Sequence, residues 1–145
     1  MDLESQLRLL RDAAVVKDFL HQSGGDLHRR PEDPDGLYWA EVHPAVASAS
    51  AFIARIEWAT YPDRAPSLRF TSQVGDDQRE PKAWPAATGY RAPNDVCKPF
   101  TAEGQVLHGE WGHGPNAWRA EGNPFLFVVQ NIQDDIDRVA GRRAA

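Results

Sequence analysis

Two prolines four positions apart, in Tyr61-Pro62-Asp63-Arg64-Ala65-Pro66-Ser67-Leu68-Arg69-Phe70, constrain this chain more than any other feature. Proline fixes its own φ, removes an amide donor and pushes the residue before it toward extended backbone. Neither a helix nor a central strand runs through such a segment, so it is a stiff turn between two strands. Upstream, Phe52, Ala54, Ile56 and Trp58 alternate with Ile53, Arg55 and Glu57, the pattern of a half-buried strand. Downstream, Leu68-Arg69-Phe70 alternates again. Leu37-Tyr38-Trp39-Ala40-Glu41-Val42 follows the turn Asp33-Pro34-Asp35-Gly36 and is rich in strand-favouring aromatics. Leu27-His28-Arg29 is short enough for an edge strand. Connections of this length join antiparallel neighbours, so the expectation is a four-stranded antiparallel meander.

Helical periodicity flanks the meander on both sides. Leu3, Leu7, Leu10, Ala14 and Val15 recur at helical spacing, with Arg8, Arg11, Asp12 and Lys17 assigned to the other faces and a stop near Gly24-Gly25. Near the far end, Asn123 suits a cap and Pro124 a first turn. Phe125, Val128, Val129, Ile132, Ile136 and Val139 then follow before Gly141. That helix is expected to lay its apolar face on the sheet, since nothing else is available to cover it. Between Thr71 and Pro124 six prolines and many glycines break every period, which predicts one long ordered loop. The fold class is therefore α+β, with a single domain over 1–145.

Composition narrows the function. A net charge of −5, with no basic run longer than Arg29-Arg30 or Arg142-Arg143, argues against nucleic acid as a partner. No apolar stretch approaches the roughly 20 residues of a membrane span, and Met1-Asp2-Leu3-Glu4-Ser5 does not read as a secretory signal. One cysteine excludes an internal disulfide and a multi-thiolate zinc site, and a reducing, cytoplasmic setting is the expectation.

That cysteine is Cys97, in Pro93-Asn94-Asp95-Val96-Cys97-Lys98-Pro99, inside the irregular region. A lone cysteine is commonly a small buried hydrophobe, yet loops carry a disproportionate share of reactive residues. Lys98 and Arg91 favour a thiolate and Asp95 opposes it. Asn94 offers an amide donor for an oxyanion, which acyl transfer at sulfur requires. His108 and His113, in His108-Gly109-Glu110-Trp111-Gly112-His113, are candidates for a general acid or base beside Cys97. Together with Cys97 they also make a nominal set of three metal ligands, although their spacing matches no established zinc pattern. Asp134-Asp135 and Asp76-Asp77 read as ordinary charged surface. No phosphate-cradling glycine loop and no serine nucleophile elbow is present.

The order of these features resembles the ubiquitin-conjugating enzymes. The leading helix, Leu37 to Val42, Phe52 to Trp58 and Tyr61-Pro62-x-x-Ala65-Pro66-x-Leu68-x-Phe70-Thr71 follow that family's sequence of parts. Its Tyr-Pro-x-x-Pro-Pro turn has Ala65 in place of one proline. Cys97 stands where the family's active cysteine is expected. Phe125 to Ile136, with Ile132-Gln133, resembles the helix that follows it. Ala92-Pro93-Asn94 resembles the family's His-Pro-Asn, with alanine in place of histidine and with Asn94 closer to the cysteine. Along with a longer segment from Cys97 to Trp111, these departures point to a divergent, bacterial-type member.

The resemblance implies a UBC-like fold with a long active-site loop, and a transferase that carries a ubiquitin-like protein as a thioester on Cys97. The catalytic residues would be Cys97 with Asn94, assisted by His108 or His113. The implied partners are the ubiquitin-like protein, an activating enzyme docking partly on the first helix, and a protein acceptor that supplies an amine. Neither a cofactor nor a metal is implied, because the upstream enzyme supplies the activation. The alternative is a catalytically silent domain of the same fold that binds proteins.

Overall fold

Asp2 opens the first helix by accepting a hydrogen bond from the Ser5 amide at 2.8 Å, which satisfies one of the donors that a helix start leaves unpaired. In the computed structural model, which describes residues 1–145, α1 runs over Leu3–His21. It ends where the Gly25 amide turns back to the Leu20 carbonyl at 2.9 Å. A side chain at Gly25 would stand 2.1 Å from the Glu41 carbonyl oxygen, so only glycine lets the chain enter the sheet this closely.

The face that α1 buries differs from the one its leucine spacing predicts. Leu9, Ala13, Val16 and Leu20 enter the core, and Asp12 goes in with them. Leu3, Leu7, Leu10 and Val15 remain exposed. The helix is apolar on two sides, and the longer leucine run lies on the outer one.

Four strands form one antiparallel sheet in sequence order: β1 (Asp26–His28), β2 (Leu37–Val42), β3 (Phe52–Glu57) and β4 (Ser67–Thr71). Ala40 pairs with Ala54, and Ala54 with Phe70. Tyr38, Ala40, Val42, Phe52, Ala54, Ile56, Leu68 and Phe70 make the inner face, as the period-2 pattern requires. On the outer face Trp39 is also buried. It lies under the guanidinium groups of Arg30 and Arg55, 5.4 and 5.8 Å from its ring, and its indole N–H donates to Asp33 at 2.9 Å.

The segment after β4 is built of short elements instead of forming a single loop. A 3-10 turn over Pro81–Ala83 precedes a two-stranded hairpin, β5 (Tyr90–Arg91) with β6 (Asp95–Val96). A short helix, α2 (Ala102–Leu107), then leads into 3-10 turns over Gly109–Gly112 and Gly114–Asn116. Trp84 and Tyr90 anchor the region on the sheet, with ring centres 5.5 and 5.8 Å from Phe70. Elements of two to six residues are too short to show a period, which is why the sequence pattern dissolves here.

α3 (Pro124–Arg138) begins at Asn123, whose side chain accepts from the Leu126 amide at 2.9 Å. Phe125 meets Tyr38 and Trp58 edge-on at 5.2 and 5.5 Å. Val128, Val129, Ile132 and Ile136 complete the buried face, each contributing about 1.5–3 kcal/mol of burial. Both long helices therefore close the inner side of the sheet, giving an α+β fold with an N-terminal helix, a four-stranded antiparallel sheet and a C-terminal helix. No helix is long and apolar enough to cross a membrane.

Candidate active site around Cys97

Cys97 is the first residue after β6, and it is half-buried. Tyr90 pairs with Val96 and Arg91 with Asp95, while the Asn94 amide closes the turn onto the Arg91 carbonyl at 2.7 Å. The ladder continues one step, with the Cys97 amide donating to the Gly89 carbonyl at 2.7 Å. Gly89 has a φ of 86°, and a Cβ there would lie 2.8 Å from the Cys97 carbonyl oxygen and 3.1 Å from Lys98 Cε. Only glycine fits opposite the cysteine. Val96 points into the core, so strand alternation places Cys97 on the outer side with Asp95.

Thr101 fixes the other side of the cysteine. Its hydroxyl, fully buried, lies 2.6 Å from the Val96 carbonyl oxygen, to which it donates. Thr101 Oγ1 also accepts from the Gly104 amide at 3.0 Å, which caps α2, and from the Lys98 amide at 3.3 Å. Gly104 lets α2 lie directly on this loop, because a Cβ there would be 2.1 Å from the Lys98 carbonyl oxygen. One hydroxyl thus ties the residues on both sides of Cys97 to the helix that follows.

The proline turn serves as the platform for α2. The Ala102 amide donates to the Pro66 carbonyl at 2.8 Å. Glu103 accepts from the Ser67 hydroxyl at 2.6 Å and from the Leu68 amide at 3.2 Å. Trp118 donates its indole N–H to the Pro62 carbonyl at 2.9 Å. Tyr61 is fully buried and its hydroxyl donates to the Asp12 carboxylate on α1. Burial, followed by the neighbouring Asp12 carboxylate, pushes the Tyr61 hydroxyl well above its ordinary pKa. Asp12 therefore belongs to the interior, not to the polar face of α1.

The cations near Cys97 are already committed. Lys98 Nζ is 3.7 Å from Asp135 and 5.8 Å from the centre of the Tyr90 ring. The Tyr90 hydroxyl donates to the same carboxylate at 2.8 Å. Burial and then the charge of Asp135 raise the Tyr90 pKa far above that of free tyrosine. Arg91 makes two bonds of 2.7 Å to Asp95, and that pairing raises the arginine pKa further. An open groove of about 330 Å³ runs between the hairpin and α2, lined by Arg91, Asp95, Ala102, Glu103, Val106 and Leu107.

Of the residues that the sequence nominates, only Cys97 stands in this setting. Asn94 is exposed at the hairpin turn, three residues from the cysteine. At about 3.3 Å of rise per residue, roughly 10 Å of strand separates the two, beyond the reach of an asparagine side chain. His108 follows the end of α2, where its ring N–H donates to the Glu110 carboxylate at 2.8 Å and the ring stacks on Trp111 at 4.1 Å. His113 is exposed between the two 3-10 turns. None of the three hydrogen-bonds to Cys97. No group of three or more His, Cys, Asp and Glu side chains comes close enough together to hold a metal ion, so Cys97, His108 and His113 do not form one.

Residues that do shape the site carried weaker sequence signals. Asp135 is buried, whereas Asp134 beside it is exposed. The signal for Asp135 was its position seven residues after Val128 and three after Ile132, on the apolar face of α3. Thr101 is the residue before α2 and spaced as a helix cap. Gly89 and Gly104 gave no signal, since close backbone approach is invisible without the fold. No protein-family model matches the chain, and no curated protein matches it.

Proposed function

We propose that this protein is a conjugating enzyme that carries a ubiquitin-like protein as a thioester on Cys97 and passes it to an amine. The observation that carries this reading is the setting of Cys97: a half-buried cysteine held between a glycine-opened hairpin and a capped helix, with an open groove lined by that same hairpin and helix. Support comes also from the frame, whose helix, four-stranded meander and later helix follow the order expected of a UBC-like fold.

The chemistry is two acyl transfers without redox change. The Cys97 thiolate attacks the thioester carbonyl on the activating enzyme; the new C–S bond forms as the old one breaks, and the enzyme's thiolate leaves. An acceptor amine then attacks the Cys97 thioester, the amide forms, the Cys97 thiolate leaves and the amine loses a proton to solvent. Groove and hairpin would hold the modifier's tail in line, which is the positional part of catalysis. Asn94, His108 and His113 are given no step in this scheme, since none of them hydrogen-bonds to Cys97.

The absence of a bonded acid, base or amide partner at Cys97 favours a second reading, a protein-binding domain of the same fold without transferase activity. A charging reaction distinguishes them. The protein is incubated with ATP and a ubiquitin-like protein whose activating enzyme demonstrably charges itself, then run on gels with and without reductant. A reductant-sensitive adduct on wild type, absent or reductant-stable on Cys97→Ser, supports the carrier. Binding of the modifier without any adduct supports the second reading.

A further inference from the structure

The outer leucines of α1 are spaced as a helix–helix seam. Leu3, Leu7, Leu10 and Ala14 follow a 4-3-4 repeat, the mean period of 3.5 that keeps one stripe facing a partner helix. The first three are 70%, 58% and 49% exposed, and Ala14 is exposed beside them. The core claims a separate stripe, roughly 120° around the helix, through Leu9, Ala13, Val16 and Leu20. Single exposed leucines are ordinary, but three in register on a 19-residue helix form a continuous apolar stripe.

We propose that this stripe pairs with α1 of a second copy of the chain, antiparallel about a two-fold axis between Leu7 and Leu10. The flanking charges select both partner and direction. Glu4, Arg11 and Asp18 occupy one edge of the seam at seven-residue intervals, acid, base, acid. In the antiparallel pairing Leu7 faces Leu10 of the second copy, Leu3 faces Ala14, and Glu4 lies against Arg11. The two-fold axis makes each of these contacts twice. Arg11 already bonds Asp12 at 3.2 Å, but its side chain is 67% exposed, so the outward part of its guanidinium is open to Glu4 of the second copy. A parallel pairing would set Arg11 against Gln6 or the buried Ala13 edge and leave the charges unmatched. The second copy thus supplies both the apolar cover and the complementary charge.

Sedimentation equilibrium of the full chain across a wide concentration range tests the pairing. Wild type is expected to move from 16.2 kDa toward twice that mass as concentration rises. Leu7→Gln/Leu10→Gln is expected to stay monomeric with unchanged circular dichroism and melting, because both positions are exposed and glutamine is a good helix former. Glu4→Arg alone and Arg11→Glu alone should each weaken the dimer about tenfold, because attraction becomes repulsion in two symmetric pairs. The two reversals together should restore it. A wild type that remains monomeric throughout, a dimer indifferent to the leucine substitutions, or a double reversal that recovers nothing would each overturn the proposal.

Discussion

Replacing Thr101 with valine keeps the side-chain shape and removes one hydroxyl. That hydroxyl caps α2 through the Gly104 amide, accepts from the Lys98 amide and donates to the Val96 carbonyl. Loss of a helix cap costs about 1 kcal/mol. Leaving the buried Val96 carbonyl short of a partner adds about 1–3 kcal/mol; the 3.3 Å bond from Lys98 is longer and contributes least. The total is about 2–4 kcal/mol, or a fall in Tm of roughly 4–16 °C for a chain of this size. Thr101→Ser keeps the hydroxyl and loses one buried methyl, at about 1 kcal/mol. Urea unfolding followed by tryptophan fluorescence measures both, and alkylation of Cys97 in the folded protein should quicken in the valine variant as its loop loosens. If Thr101→Val lies within about 0.5 kcal/mol of wild type, or if serine is the more damaging change, Thr101 is not what fixes the cysteine loop.

Gly104→Ala should destabilise the fold by about 2 kcal/mol or more and displace α2, since its Cβ would stand 2.1 Å from the Lys98 carbonyl oxygen. Gly109→Ala, which points into open space, should leave the urea midpoint unchanged. Asp135→Asn should release Lys98 and raise the rate of Cys97 alkylation at fixed pH, while Asp134→Asn, at an exposed site, should not. Asp33 is held down to about 2, chiefly by its bonds to Arg30 with help from Trp39. Its carboxylate stays deprotonated in the folded state where the unfolded chain, at 3.8, takes up a proton. The stability it confers is therefore complete above pH 3.8 and lost as pH falls toward 2. Asp33→Asn should flatten that part of an unfolding-against-pH curve.

Wherever periodicity was long enough, the sequence was readable. β3 and β4 and the α3 face from Phe125 to Ile136 fall where alternation and helical spacing place them. α1 misleads because two apolar stripes share one helix: the leucine run is longer, but Leu9, Ala13, Val16 and Leu20 are the residues that the sheet and α3 cover. In the same helix Asp12 is buried although a charged residue seldom is: Arg8 and Arg11 pair with it locally, and the Tyr61 hydroxyl that meets it in the interior comes from 49 residues away.

The site was less legible than the frame. Cys97 stood out as the only cysteine, and its flanking Lys98 and Arg91 looked free. Their carboxylate partners differ in kind: Asp95 is four residues from Arg91, while Asp135 arrives from a distant helix. Asn94, His108 and His113 were chosen for chemical type. Asn94 falls at a hairpin turn and His108 at a helix end, where neither bonds to Cys97, while Gly89, Thr101 and Gly104 shape the cysteine loop through contacts that exist only once the chain is folded.

Single-turnover charging and discharge tests the role of Cys97 most directly. Intact-mass spectrometry follows the protein after incubation with ATP, a ubiquitin-like protein and an activating enzyme shown to charge itself with that modifier, and then after addition of free lysine. The expected result is one modifier per chain, mapped to Cys97, which disappears on adding lysine as the modifier–lysine amide appears. A mass that never changes, while the activating enzyme in the same tube is fully charged, would contradict the assignment of Cys97 as an acyl carrier.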